Sequence, residues 1–300
     1  MKNSKLILVL GFIFTISGAF GQDYAFKVLA NKGTNEVKSG DSWQAIKTGA
    51  SLNATDEVRL AENAYLGLIH KTGKPIEVKQ AGSYKVADLA SQVKGGTSVL
   101  NKYTDFILSS NSAEAQKNRL SATGAVHRGA KGLRVYLPDA QFANVLNKRV
   151  VIRWEEVKGG SPFVVILKNM FDDEILKKET TEARLEIDLS DPKLANESAI
   201  LVEIRSLSDP ELKTEKNLLI KKLPAAQLEA LTKEMETLTQ QVDTQTAISK
   251  YIMTGFYEEK NLFIDAVTAY EDLIKMAPDV PSYKESYEEF LLRNKFKEPK

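Results

Sequence analysis

FVVILKNMFDDEILKKETTEARLEIDL, residues 163–189, decides the fold class of the middle of this 300-residue chain. It opens on Phe163-Val-Val-Ile-Leu167, a short continuous apolar run rich in β-branched residues, as in a strand buried on both faces. It closes on Ala183-Arg-Leu-Glu-Ile-Asp-Leu189, where apolar and charged side chains alternate as in a strand with one wet face. Asp172-Asp173-Glu174 between them reads as a hairpin turn, and it lacks the D-x-D-x-D-G spacing of a calcium loop. Working outward, residues 133–137 (LRVYL), 150–154 (VVIRW), 199–204 (AILVEI, again alternating) and 218–220 complete an all-β unit over residues 133–223.

Trp154 on an early strand, the F-V-V-I-L strand and the two alternating strands after it together resemble an immunoglobulin-like or fibronectin type III-like sandwich. The resemblance implies a spacer or binding module. With no cysteine in the chain, the disulfide-bonded version is ruled out.

Residues 22–85 read as a second β unit. Phe26, Val28, Val37, Trp43, Ile46, Leu52, Val58, Leu60, Tyr65 to Ile69, Ile76 and Val78 fall in short runs. The runs are separated by turns at Ser39-Gly40-Asp41, Lys47-Thr48-Gly49 and Lys71-Thr72-Gly73-Lys74-Pro75. The order Val37, Gly40, Trp43, Ile46, Gly49, Leu52, Asp56-Glu57-Val58, Leu66, Leu68 resembles the FecR-like domain of bacterial envelope proteins. In that family a G-x-W-x-x-(apolar)-x-x-G core is followed by L-x-x-x-D-x-(apolar). Where it usually carries an Asp-Gly-Ser turn, this chain has His70-Lys71-Thr72-Gly73. The cytoplasmic and transmembrane parts of a FecR-type transducer have no counterpart, so the resemblance implies a β domain and not sigma-factor regulation.

Val86, Leu89, Ala90 and Val93, then Val99, Leu100, Tyr103, Phe106 and Ile107, step at helical spacing. They predict two helices over residues 86–111, packed on the β unit. Lys94-Gly95-Gly96-Thr97 between them is a helix break, since a phosphate loop would join a strand to a helix. Residues 112–132 are polar and Gly-rich, a linker whose Arg128, Lys131 and Arg134 form a small basic cluster.

Residues 224–294 are expected to be helical. Leu228, Leu231, Met235, Leu238, Val242 and Gln245, followed by Ile248 and Ile252, give about three heptads of one amphipathic helix. It starts after Pro224; a second helix runs from Leu262 to Pro278 and a third from Tyr283 to Leu292, leaving a tail at 295–300. Gly255 to Pro278, with the small residue Ala269 at the expected crossing and the closing proline, resembles a tetratricopeptide-type helix pair. One repeat cannot bury its own apolar face. The expectation is that the neighbouring helices complete the stack, with a coiled coil to a partner chain as the alternative. Most of the aromatic stripe is then core. Any of Tyr251, Tyr257, Phe263, Tyr270, Tyr283 and Tyr287 left on a concave face would anchor a peptide or partner helix.

The first 21 residues have the parts of a cleavable Sec-type signal: Lys2 and Lys5, the apolar run at residues 6–16, and small residues before Gln22. That run of about eleven residues is short of the roughly 20 that span a bilayer. Without a cysteine after the signal the expected product is not a lipoprotein, but a periplasmic or outer-membrane-associated chain with no membrane span. Beyond the signal, 39 basic side chains face 40 acidic ones, no excess for a polyanion, so nucleic acid is not expected.

No catalytic, metal or cofactor site is expected. The two histidines, His70 and His127, lie in separate turns, and no G-x-S-x-G elbow appears. Asp188 and Asp191 read as strand-end and turn residues, and Trp43 and Trp154 as core. The whole is a multidomain α+β chain: a FecR-like unit with helices, an Ig-like sandwich and a tetratricopeptide-like helical end. Its expected work is non-enzymatic protein–protein binding in an envelope assembly, oligomeric state unspecified. The alternatives are a glycan- or peptidoglycan-binding module and an atypical hydrolase.

Overall fold

The computed structural model describes residues 24–95, 99–112, 114–115, 117 and 132–298. The expected signal segment, His127, Arg128, Lys131 and most of the expected linker lie outside them. The described residues form a mixed α+β structure of four sheets and six helices.

The first unit has β1 (Tyr24–Lys32), β2 (Asn35–Ser39), β3 (Ser42–Ala45), β4 (Ser51–Asn53), β5 (Glu57–Leu60), β6 (Tyr65–His70), β7 (Pro75–Val78) and β8 (Gly82–Lys85). They make two four-stranded sheets, β4-β1-β6-β7 and β3-β2-β5-β8. The turn joining β2 to β3 holds Gly40 at φ +74°, a left-handed conformation that glycine adopts without strain. Phe26, Val28, Leu52, Val58, Leu66 and Leu68 fill the core, and Val86 and Leu89 of α1 (Val86–Ser91) close it. The second predicted helix behaves differently. In α2 (Val99–Ser110) the buried residues Leu100, Tyr103 and Ile107 join the C-terminal helices rather than this β core.

The middle unit has β9 (Asn144–Val145), β10 (Arg149–Arg153), β11 (Phe163–Lys168), β12 (Glu174–Thr180), β13 (Arg184–Asp188), β14 (Ala199–Ser206) and β15 (Leu218–Lys222). A β10-β13 pair and a sheet of order β12-β11-β14-β15-β9 share one core around Trp154, Val150, Ile152, Val165, Ile187 and Val202. Residues 133–137 contribute one isolated bridge, Val135 to Trp154, in place of the expected strand. Conversely, β12 forms where Glu174-Ile-Leu-Lys-Lys-Glu-Thr180 has no clean period. As an edge strand it needs only the β11 ladder on one side.

The long heptad helix divides. Helix α3 (Ala225–Thr239) stops, and α4 (Ala247–Glu259) begins afresh, followed by α5 (Phe263–Met276) and α6 (Pro281–Arg293). The polar run at residues 240–246 makes its own turn bonds. Asp243 Oδ1 accepts from Gln245 N at 3.0 Å. Thr246, the N-cap of α4, accepts from Ser249 N at 3.3 Å. A three-heptad seam for a coiled coil is therefore not formed.

Helices α2 and α4–α6 are packed between the two β units. One apolar core takes Leu29, Ala30, Tyr65 and Ile69 from the first unit, Tyr136, Leu146 and Leu223 from the middle one, and the inner faces of the helices. Close backbone approach makes this fit. A Cβ at Gly67 would lie 2.9 Å from Ile248 Cδ1, and one at Gly255 2.8 Å from the Tyr103 carbonyl oxygen.

Candidate functional site

All six aromatic residues expected as possible anchors, Tyr251, Tyr257, Phe263, Tyr270, Tyr283 and Tyr287, are buried. Tyr270 stacks on Tyr287 at 5.1 Å and Tyr251 meets Tyr283 edge-on at 5.0 Å. Phe263 packs against Phe290. Three of their hydroxyls bond inward: Tyr270 donates to Glu258 at 2.8 Å, Tyr257 accepts from Asn147 at 3.0 Å, and Tyr283 lies 2.8 Å from Tyr65. Burial pushes the Tyr251 phenol up to about 12 and those of Tyr270 and Tyr287 well above their usual range. These side chains join the units of the chain to each other, and none of the six is left on a concave face among the described residues.

The joints are polar as well. Asp265, in the first turn of α5, accepts from Leu146 N at 2.8 Å, Asn147 N at 3.0 Å and Asn147 Nδ2 at 2.7 Å. Burial pushes its carboxyl up to about 6 against the pull of those three bonds. Thr268 Oγ accepts from Val151 N at 2.8 Å. Arg149 bridges Asp272 and Glu186. On the other side Glu77 accepts from Tyr65 OH at 2.7 Å and from Ile248 N at 3.1 Å. Within the helices, buried Glu258 pairs with Arg293, whose Nη1 also reaches Asn111 Oδ1 at 3.2 Å.

Between the middle unit and the helices lies an open cleft of about 520 Å³. Met235, Val242, Met253 and Ala269 supply its apolar lining, and Lys148, Arg149 and Lys250 its cationic lining. Asp272 in the cleft is held by Arg149, and Asp265 is consumed by the joint. Neither Lys148 nor Lys250 closes an ion pair among the described residues.

Among the described residues the most exposed large apolar side chain is elsewhere, at the turn joining β11 to β12. Phe171 is 88 % and Met170 56 % exposed. The turn is built, not loose. Asn169 Oδ1 accepts from Phe171 N at 2.9 Å and Asp173 N at 3.0 Å, and Asn169 N donates to the Asp173 carbonyl at 3.0 Å. Asp172 takes φ +71°, tolerable for Asp, while its carboxylate receives Lys168 at 3.1 Å and Asn217 at 3.2 Å. Two large apolar side chains are thus held in water on a fixed hairpin, flanked by Asp172, Asp173 and Glu174. The turn was legible in the sequence. Its signal in the sequence is Met170-Phe171, an apolar pair where turn residues belong.

The remaining expected positions scatter. His70 is buried edge-on against Phe26 with Nδ1 2.8 Å from Thr72 Oγ, and burial lowers its pKa. Asp188 and Asp191 bond to Ser190 and Lys193 in the turn after β13. Arg134 pairs with Glu298. Trp154 is fully buried as expected, but Trp43 is only half-buried. It lies on the outer edge strand β3 with the Arg59 guanidinium 4.4 Å from its ring. Among the described residues no group of three or more His, Cys, Asp or Glu is arranged to hold a metal ion, and no helix is long and apolar enough to cross a membrane. Compared with known protein families and with curated proteins, the chain matches none.

Proposed function

We propose that this chain is an exported, non-catalytic binding protein of a bacterial envelope assembly, periplasmic or outer-membrane-associated, with the Met170–Phe171 hairpin tip as its contact point. The observation that carries this reading is the 88 % exposure of Phe171 on a turn whose backbone is tied by Asn169. An exposed aromatic that is already ordered contributes contact area at small entropic cost, as interface anchors do. The FecR-like, immunoglobulin- or fibronectin-like and tetratricopeptide-like readings of the three parts agree with such a role. The helical end then works as the structural joint, and partner contact passes to the middle unit. Capture from envelope extract with the mature chain and its F171D variant tests the reading. The wild type retains a partner that F171D loses; equal retention by both defeats it.

A second reading, glycan or peptidoglycan binding by the first β unit, is favoured by half-exposed Trp43 beside Arg59 on an outer sheet face. Sedimentation with purified cell-wall sacculi tests it: the wild type pellets and W43A stays in solution, whereas equal behaviour ends it.

A further inference from the structure

We infer that the partner of the Met170–Phe171 tip is a second copy of this chain, which receives the tip in the cleft between its middle unit and its helices. This rests on the tip being a contact point and names what it contacts.

The two surfaces are complementary in three respects. The tip offers Phe171 and Met170, apolar and projecting; the cleft offers Met235, Val242, Met253 and Ala269, apolar and concave. The tip is flanked by Asp172, Asp173 and Glu174, of which only Asp172 meets a cation, Lys168, among the described residues. The cleft carries Lys148 and Lys250 without ion pairs among the described residues. A lipid surface fits the tip less well, because anionic headgroups would repel its carboxylates. Third, the cleft's 520 Å³ lies within the range of pockets that enclose a compact apolar ligand, enough for a single aromatic anchor and its neighbour.

The geometry also allows both insertions to occur together. Lys168 of β11 pairs with Leu201 at the start of β14, while Ala199 and Ile200 pair with Lys221 and Ile220 at the end of β15. Lys221 and Lys222 in turn pair with Asn144 and Val145 of β9, which leads directly to Leu146 and Lys148 in the cleft. Tip and cleft therefore stand at the same end of one sheet, and a two-fold pair can exchange tips, each residue contact occurring twice. Two hairpin tips are a small contact beside a standard stable interface, so the association is expected to be weak and concentration-dependent.

Sedimentation equilibrium of the mature wild-type chain tests this directly, with charge reversal as the specific probe. One variant carries D173K and E174K on the tip, and the other K148E and K250E in the cleft. The expected result is that the wild type self-associates with rising concentration. F171D and each doubly reversed variant alone weaken the association by about tenfold or more, with unchanged thermal midpoints. An equimolar mixture of the two reversed variants regains a one-to-one complex. A wild type that stays monomeric throughout its soluble range overturns the inference, as does self-association indifferent to the reversals. If the chain is monomeric and F171D still loses an envelope partner on capture, the second-copy assignment falls and the binding role stands. If neither self-association nor capture depends on Phe171, both fall.

Discussion

Asn147 Nδ2 donates to Asp265 Oδ1 at 2.7 Å, across 118 residues of sequence, and so fastens the loop after β9 to the first turn of α5. With the backbone amides of Leu146 and Asn147 on the same carboxylate, this is the tightest polar link between the middle unit and the helices. Asn at position 265 would turn an amide N–H toward donors or leave one amide unsatisfied. D265N is therefore expected to cost about 2–4 kcal/mol, one or two unmet buried bonds, read as a lower urea midpoint.

The same carboxyl sets a pH dependence. Its folded pKa of about 6 lies above the ordinary 3.8, so the folded state holds the proton more tightly than the unfolded one. The associated stability is fully present below about 3.8 and is lost as pH rises through about 6, some two units or about 3 kcal/mol. Urea midpoints of wild type minus D265N are expected to fall between those pH values and to level off above them. A difference that does not change with pH contradicts this account of Asp265.

Gly255 is where α4 passes α2. Alanine there places a Cβ 2.8 Å from the Tyr103 carbonyl oxygen, and backbone cannot swing aside as a flexible side chain does. G255A is expected to destabilise by about 1–3 kcal/mol, the usual cost of overpacking, despite alanine's better helix propensity. Thermal denaturation checks the sign.

Glu258 and Arg293 form a buried pair shared with Tyr270. Replacing the cation alone, R293M, leaves a carboxylate that burial already pushes upward and is expected to cost about 3–5 kcal/mol. The same helices hold both β units, so the loss is expected as one transition, followed jointly by near-UV circular dichroism and the fluorescence of Trp43 and Trp154. Separate transitions would mean that the units fold independently.

Much of this architecture was legible in the sequence because local chemistry dictated it. The turns at Gly40 and Gly73 and the alternation in residues 183–189 delimit strands that pairing then confirms. The rest depends on contacts that no local pattern carries. Strand β12 is organised by its neighbour β11, and α2 is drawn to Phe256 of α4, with Tyr103 edge-on at 5.5 Å. The heptad register ran through residues 240–246 unbroken, while the bonds of Asp243 and Thr246 stop the helix there. The aromatic stripe was correctly placed on helix faces, but which faces stay bare depended on two β units folding against them. Deleting residues 224–300 would accordingly remove core from both units, so point changes at the tip are the proper probe of binding.

Site-specific photocrosslinking from position 171 of the full chain is the most direct test of the tip as the contact point. A photoreactive residue there is expected to give a discrete adduct in envelope preparations, and one at exposed Glu179 on the neighbouring strand is not. Adducts of equal yield from both positions, or none from 171, would contradict the account.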